Sequence, residues 1–272
     1  MVVSQEKLNP QEKYLALHAK HHIFGLYLIK TFQSLQSSMI MPLTQRLRQA
    51  MQVTHDQIEN LPISLAMAQG SVSRESYLHL LVQMYHLHTG FESLLRLTWG
   101  NHPLVNDDQF RASSLEQDLH YFGCSLETLP AALPATTKLL TEFRRWSNDQ
   151  KICLLGTLYI LEGSRMGSMF LAKPMARAMG VEVALNRGLN YHLEGMSSRP
   201  ATWARWKQQL DHQPFSDSEQ EWIIQGACTT MQGLFEIYSQ AGMCEMSEKL
   251  AVRSNMNRLA EPGSTRSLAH AF

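Results

Sequence analysis

The chain has 272 residues, of which 44% are hydrophobic and 18% are charged. This length and composition exclude disorder as the default state and supply enough apolar side chains for a large core. The 24 basic and 24 acidic side chains cancel, which argues against a nucleic-acid-binding protein, because such proteins normally carry a basic excess. The four cysteines are isolated and lack the Cys-x-x-Cys spacing of a redox dithiol or a zinc ribbon.

Neither targeting nor membrane insertion is indicated. Residues 1–7 contain no apolar stretch of the kind found in secretory signals. The longest apolar stretch, residues 152–161, is much shorter than the roughly 20 residues that span a bilayer. Isolated thiols are typical of a reducing compartment, so we expect a soluble, cytoplasmic protein without a membrane span.

The pattern of residues predicts an all-α fold with a single compact helical domain. Residues that favour helices dominate, whereas Asn-Gly turns and sustained polar–apolar alternation are absent. Ser73 and Ser76 form a cap before one helix, Gly180 ends another, and Pro174 predicts a kink or a break. The predicted helices span residues 10–37, 43–60, 73–99, 107–122, 135–146, 149–179, 201–212, 216–241 and 246–259.

These helices divide into three parts. We expect residues 1–40 to form an N-terminal helical extension, residues 41–241 to form the main helical domain, and residues 242–272 to form a C-terminal helix and a flexible tail. The two terminal parts are candidates for dimerisation, for docking a partner, or for covering an edge of the main domain.

Three polar residues share one face of the helix predicted over residues 43–60. Glu59 follows His55 by four residues and Arg48 precedes it by seven, which places them on the same side. A carboxylate one turn away can hold one ring nitrogen of a histidine and leave the other free to bind a metal. The alternative is an exposed His–Glu pair on an ordinary amphipathic helix.

Two glycines lie inside the helix predicted over residues 149–179. Gly163 and Gly167 are four residues apart, although each glycine in a helix interior costs about 1 kcal/mol relative to alanine. Together they expose a strip of backbone, which Ser164 and Ser168 flank. Such a strip can press against a flat ligand, or it can allow close packing with a second helix.

A second group of metal-binding residue types is weaker. A di-iron site in a helical bundle needs two Glu/His sets with bridging carboxylates, and the sequence offers one convincing set. The favoured interpretation is therefore that these residues do not form a metal site and that the histidines are ordinary core or surface side chains. The residues concerned are His79, His86, His88, Glu116 and His120.

Four motifs, in this order along the chain, resemble the haem oxygenase family, and specifically its bacterial biliverdin-producing branch. Residues 47–59 resemble the proximal helix of that family, and residues 158–167 resemble the bacterial form of its distal helix. Residues 201–207 resemble the aromatic helix that carries basic partners for the propionates, and residues 214–235 resemble the closing helix. The resemblance covers roughly residues 40 to 240.

The resemblance implies that haem is both substrate and cofactor and lies between the two helices. His55 is then the iron ligand, Glu59 orients its imidazole, and the other side stays open for O₂. The implied products are biliverdin, CO and ferrous iron, with electrons from a ferredoxin or a flavin reductase. The remaining residues that it implies are Arg48, Lys207 and Arg205 at the propionates, and Tyr159, Gly163, Ser164, Gly167 and Ser168 on the distal helix.

Two departures from the family pattern keep other functions open. Ser164 stands where many members carry an aspartate, and Ser168 replaces the second glycine of a pair. The Ser168 replacement, together with the N-terminal helix outside the usual core, motivates the main alternative, a haem carrier or sensor on the same fold. A thiaminase-like or di-iron relative is the third interpretation, but its nucleophilic cysteine or second Glu/His set is incomplete.

Overall fold

The computed structural model describes residues 41–260, with side chains over residues 41–242. Within these limits the chain is all-α and contains no strand, as predicted. The helices are α1 (Leu43–Glu59), α2 (Pro62–Gln69), α3 (Arg74–Trp99), α4 (Ala112–Tyr121), α5 (Pro134–Asp149), α6 (Cys153–Met179), α7 (Asn190–Leu193), α8 (Arg199–Asp211) and α9 (Asp217–Ala260). None of the described helices combines the length and apolarity that crossing a bilayer requires.

Local signals set two helix boundaries where the sequence places them. The hydroxyl of Ser73 accepts a hydrogen bond from the backbone N–H of Ser76 at the start of α3. Gly180 adopts a left-handed conformation (φ 65°) at the end of α6, and its N–H bonds to the carbonyls of Ala176 and Arg177. Both ends satisfy backbone groups that a helix otherwise leaves unpaired.

Other boundaries differ from the prediction. Pro62 begins α2 as its first residue, because the proline ring suits the first turn, where no N–H is needed. Pro174 lies inside α6 without ending it, since buried side chains that follow, including Met175 and Met179, hold the last turns in place. Helix α4 begins at Ala112, after a 3₁₀ turn over Asp107–Gln109.

Helix α9 continues to Ala260, so the separate helices predicted over residues 216–241 and 246–259 are one. The helix predicted over residues 10–37 and the tail after residue 260 lie outside the described residues. The division of the chain at residues 40 and 241 stays a prediction.

The described residues from Leu47 onward belong to one compact unit, and every contact below lies within it. Helix α6 packs along α9, while α3 packs against α4 and α5. Large aromatic side chains fill the interior between these helices, among them Tyr77, Phe91, Phe143 and Trp146. The rings of Phe91 and Phe143 lie 5.4 Å apart, within the range of favourable aromatic pairs.

Helices α6 and α9 cross at two glycines. A β-carbon on Gly156 would collide with the carbonyl oxygen of Ile223, and one on Gly226 would collide with the carbonyl oxygen of Cys153. Beside this crossing, the buried hydroxyls of Thr157 and Thr230 are 2.8 Å apart. The crossing therefore fixes the first half of α6, and with it the position of the glycines that follow.

Candidate functional site

The histidine predicted to bind a metal lies near the end of α1. Leu47 and Met51 are buried, and His55 continues their four-residue spacing beyond the point where burial ends. Its Nδ1 is 3.7 Å from Glu59 Oε1 and 4.0 Å from Asp56 Oδ1, and its side chain is 53% exposed. With Nδ1 turned towards a carboxylate, Nε2 is the ring nitrogen that can bind a metal.

No other trio in the described part of the chain brings histidine, cysteine or carboxylate ligands as close together as His55, Asp56 and Glu59. The other histidines have different partners. His88 Nδ1 is 3.2 Å from Glu92 Oε1 in the same helix, and His86 Nε2 is 2.9 Å from the carbonyl of Pro130. The weaker group of predicted ligands thus does not assemble as a di-iron site.

The two glycines predicted to lie on the distal helix leave the surface of α6 open. A β-carbon on Gly163 would lie 3.5 Å from the indole of Trp203, and one on Gly167 would meet no atom within 4 Å. Neither glycine is used for close packing with another helix, as Gly156 is. The backbone strip is therefore free for a flat ligand at Gly167 and bordered by an aromatic ring at Gly163.

The two serines beside this strip have defined partners. Ser164 donates its hydroxyl hydrogen to the Leu161 carbonyl of its own helix, at 2.8 Å. Ser168 Oγ is 3.3 Å from Nδ1 of His192. On the other side of that ring, Nε2 is 3.0 Å from the hydroxyl of Tyr77. The side chain at the second-glycine position is thus held by a buried histidine.

Burial, and then the charge of Arg199, lower the pKa of His192 to about 4. The imidazole is therefore neutral near pH 7 and carries one proton to share between its two contacts. Burial also raises the pKa of Tyr77 well above its ordinary value. The contacts among Ser168, His192 and Tyr77 are consequently hydrogen bonds between neutral groups.

An aromatic cluster lies beside Gly163. The ring of Tyr159 is 5.2 Å from that of Trp203, which stacks on Trp206 at 5.4 Å and 13°. The indole N–H of Trp206 donates to the Leu104 carbonyl at 2.7 Å, which anchors α8. This arrangement presents a flat aromatic wall next to the exposed backbone of α6.

Two of the three predicted propionate partners lie near this cluster. Lys207 places its Nζ 5.4 Å from the centre of the Trp203 ring. Burial raises the pKa of Tyr159, while the nearby charge of Arg48 lowers it, so Arg48 reaches the same region from α1. Arg205, the third, is exposed.

Sequence reasoning missed a buried ion pair on the other side of α6. Arg165 Nη1 donates to both carboxylate oxygens of Glu162 at 2.9 Å, and both side chains are buried. Burial raises the pKa of Glu162, an effect that Arg165 opposes. The i, i+3 spacing of the two residues was the available signal.

A second missed feature is a cavity of about 560 Å³, which this ion pair lines on one side. Its other lining residues include Arg111, Arg199, Glu92 and Trp203. Its volume lies within the range of small-molecule sites. These residues come from α3, α8 and the loop before α4, so no local spacing could have revealed them.

Two of the cysteines, Cys153 and Cys228, lack the features of catalytic nucleophiles. Burial raises the pKa of Cys153 to about 11 and also raises the pKa of Cys228. A nucleophilic cysteine needs the opposite shift. The thiaminase-like interpretation therefore gains no support from these two thiols.

Comparison with known proteins gives a consistent result. Residues 41–240 match the model of the Heme oxygenase family. The chain is 24% identical over 191 residues to Heme oxygenase 1 of Nostoc sp. (strain PCC 7120), a match that covers 68% of this chain and 79% of that protein.

Solved structures share the fold. Heme oxygenase-2 from Synechocystis sp. PCC 6803, in complex with heme and NO, aligns with a TM-score of 0.70 at 18% identity, covering 85% of this chain and 98% of that one. A TenA homologue from P. horikoshii OT3 aligns with a TM-score of 0.56 at 13% identity, covering 74% and 98%. The fold alone therefore does not choose between these groups, but the family match over most of the chain does. The chain belongs to the haem oxygenase family.

Proposed function

We propose that this protein is a haem-degrading monooxygenase that opens the macrocycle at a meso carbon and yields biliverdin, CO and ferrous iron. The observation that carries the proposal is the pairing of His55 with Glu59 on α1, in a chain that also leaves the backbone of α6 bare at Gly163 and Gly167. The Synechocystis relative that shares the fold was solved with heme, which supports the same ligand here.

The residues present fit haem on the side of α1. His55 is half exposed, and the Glu59 carboxylate faces its Nδ1, so Nε2 is the nitrogen that would ligate the iron. A carboxylate partner fixes the ring orientation and raises the basicity of the ligating nitrogen. Arg48 and Lys207 supply cations for the propionates, and charge-assisted pairing would set which edge of the macrocycle faces inward.

The residues on α6 fit the opposite face. Haem, when bound there, would supply both the redox-active iron and the meso carbon that is oxidised. Gly167 leaves room within 4 Å of its backbone, and the aromatic wall of Tyr159 and Trp203 excludes water from one side. The electrons would come from a ferredoxin or a flavin reductase, in the cytoplasm.

The first test is a visible-absorption titration of the purified protein with hemin, followed by ascorbate under air with catalase present. We expect a saturable one-to-one Soret band that decays into a biliverdin spectrum. Absence of a saturable band would contradict the haem-binding site itself.

Replacing His55 with alanine tests the ligand assignment. We expect the ferric spectrum to lose its histidine-ligated form and turnover to fall by several orders of magnitude, because the iron loses its protein ligand. His120→Ala is the matched control, since His120 is exposed and lies outside the proposed site. An unchanged ferric spectrum in His55→Ala would refute the assignment.

A haem carrier or sensor is the second candidate, and one observation favours it. The Ser164 hydroxyl, at the position of the usual aspartate, donates its hydrogen back to its own helix and so has none left to donate to a distal water in this arrangement. A Soret band that forms but persists under ascorbate and air would support the carrier and contradict the oxygenase.

A further inference from the structure

The two serines that flank the glycine strip of α6 differ in whether their hydroxyl hydrogens are already used. Ser164 donates its hydrogen to the carbonyl of Leu161, in the same helix, at 2.8 Å. Ser168 makes no such bond within the described residues, and its Oγ instead lies 3.3 Å from Nδ1 of His192. The direction of that contact decides whether the Ser168 hydrogen is used or stays available to a ligand.

The group on the far side of the imidazole sets this direction. The hydroxyl of Tyr77 is 3.0 Å from Nε2 of His192, which is its hydrogen-bond partner among the described residues. Tyr77 is 1% exposed and is therefore cut off from solvent. If Nε2 carried the ring proton, it would donate to the Tyr77 oxygen. The phenolic hydrogen would then be buried without an acceptor, which costs free energy.

The opposite arrangement satisfies all three groups. Tyr77 donates its hydrogen to Nε2 of His192, Nδ1 carries the ring proton, and the Nδ1–H group donates to Oγ of Ser168. Burial lowers the pKa of His192 to about 4, so the ring is neutral near pH 7 and holds one proton for this purpose. Arg199 donates to the His192 carbonyl at 3.2 Å and fixes the backbone that carries the ring. Ser168 therefore accepts from the imidazole and keeps its own hydrogen.

We propose that Ser168 is the hydrogen-bond donor of the open strip on α6, and that His192 and Tyr77 are positioning residues that leave its hydroxyl hydrogen available to a bound ligand. The inference rests on the proposed function, since the ligand is a small hydrogen-bond acceptor held by haem iron on the α6 side. A β-carbon on the adjacent Gly167 would meet no atom within 4 Å, so there is space for such a ligand.

Exposure identifies which of the three side chains a ligand can reach. Tyr77 and His192 are buried, at 1% and 2% exposed, whereas Ser168 is half-buried and borders the open strip. The two buried residues therefore act through the serine. The donor that Ser164 does not provide is supplied one helical turn further along α6, at the position where the family pattern has a glycine.

The first experiment determines the tautomer of His192 in the haem-free, full-length protein. Long-range nitrogen–proton correlation NMR at pH 7 shows which ring nitrogen carries hydrogen, and His192→Asn identifies the signals. We expect the hydrogen on Nδ1. A ring protonated at Nε2 would overturn the proposal, because Ser168 would then donate its hydrogen to His192.

Removing the phenolic hydroxyl tests the positioning role of Tyr77. Tyr77→Phe takes away the donor to Nε2 of His192, so we expect the tautomer protonated at Nε2 to become more populated. The same NMR spectra measure this change, and urea unfolding shows whether the variant is folded. A folded variant with an unchanged tautomer would overturn the role of Tyr77. If the variant does not fold, the tautomer of the wild-type protein decides.

The second experiment measures donation by Ser168 to a ligand on haem. Fluoride is the probe, because it binds ferric haem iron, accepts hydrogen bonds and has no hydrogen to donate. The visible spectrum of the hemin complex reports its affinity. Ser168→Ala should weaken fluoride binding about tenfold, because a hydrogen bond to a charged acceptor is lost. Equal fluoride affinity in the wild-type protein and Ser168→Ala would overturn the proposal.

Two further variants test the specificity of that effect. Ser164→Ala should weaken fluoride binding less than Ser168→Ala does, because the Ser164 hydrogen is already committed to its own helix. Ser93→Ala is the control for loss of a hydroxyl, since Ser93 is exposed on α3 and also donates to its own helix. A larger loss in Ser164→Ala than in Ser168→Ala would make Ser164 the donor and overturn the proposal.

The hemin titration separates this inference from the proposed function. Absence of a saturable Soret band would contradict the haem site, and the role of Ser168 towards a haem ligand would be overturned with it. A normal Soret band in the wild-type protein and in Ser168→Ala, with equal fluoride affinities, would contradict the role of Ser168 alone.

Discussion

The two halves of α6 use glycine in opposite ways. In the first half, a β-carbon on Gly156 would collide with the backbone of α9, so glycine there allows two helices to touch. In the second half, a β-carbon on Gly167 would meet nothing within 4 Å, so glycine there keeps a surface clear. Both arrangements look alike as helix glycines in the sequence. What faces the glycine decides its role.

The polar groups of the two halves also differ, since those of the first half lie in close packing and those of the second half lie near the open strip. Near Gly156, the Thr157 hydroxyl pairs with that of Thr230 in a tightly packed crossing. Near Gly167, Ser168 faces a buried histidine whose protonation depends on burial. The first half is therefore built for stability, while the second half carries groups that a ligand or a change of pH can influence.

The largest loss of stability should come from adding a side chain at Gly156, in the first half of α6. Gly156→Val should lower the free energy of unfolding by about 3 kcal/mol or more, because its side chain meets backbone atoms that cannot move aside. Gly167→Val is the matched control in the same helix and should leave stability nearly unchanged. Urea unfolding measures both. Equal losses in the two variants would show that the two halves do not differ.

Acid should weaken the second half selectively. The folded-state pKa of His192 is about 4, below its ordinary value of 6.5, so between these values the folded chain binds fewer protons there than the unfolded chain. The stability that this neutral histidine provides is complete above pH 6.5 and is lost as the pH falls towards 4.

Relative to His192→Asn, the wild-type protein should lose up to about 3 kcal/mol between pH 7 and pH 4. Urea unfolding at several pH values gives the difference. Asp118, whose pKa burial raises to about 6, changes in the opposite sense but is present in both proteins and cancels. Parallel pH curves for the two proteins would contradict the shift.

Removing one hydroxyl of the Thr157–Thr230 pair should cause a moderate loss of stability. Thr230 donates its hydroxyl hydrogen to the Gly226 carbonyl, which leaves Thr157 as the donor between the two hydroxyls. Thr157→Val should therefore cost about 1 to 2 kcal/mol by leaving a buried oxygen short of a partner. Thr141→Val, at an exposed hydroxyl, is the control. The same loss at both sites would argue against a buried hydrogen bond.

The smallest effect on stability should come from Gly167→Ala. Alanine has a higher helix propensity than glycine and meets no neighbour, so we expect a gain of about 0.5 to 1 kcal/mol. If the strip holds haem, the same variant should weaken hemin binding in a Soret titration. Gly123→Ala is a poor comparison because that glycine has a positive φ. Unchanged hemin affinity would remove Gly167 from the proposed site.

The sequence predicts features of the fold that depend on neighbouring residues. The Ser73 cap and the Gly180 ending are set by hydrogen bonds within a few positions, and both are confirmed. Helix α2 was missed because its eight residues show no clear periodicity. In addition, a proline such as Pro62 can either follow the end of one helix or begin the next. The length of α9 was missed because its continuation depends on the whole helix rather than on one residue.

In the candidate site too, the features set by neighbouring residues were predictable and those set by tertiary packing were not. His55 and Glu59 share a helix face, and their proximity is confirmed by the 3.7 Å distance, while their role towards iron stays a prediction. The convergence of Arg111, Arg165 and Arg199 was not predictable, since three separate elements bring them together. Buried charge of this kind arises from tertiary packing and leaves no spacing in the sequence.

The crossing of α6 and α9 has a consequence for folding. The threonine contact at this crossing joins residues 73 positions apart in the chain. A contact of such long range carries a loop-closure cost before it gives any stabilisation, so it forms after local helices have appeared. During synthesis, α6 is complete long before its partner segment emerges. We therefore expect the open glycine strip to acquire its final position only after the segment around Thr230 has docked against α6.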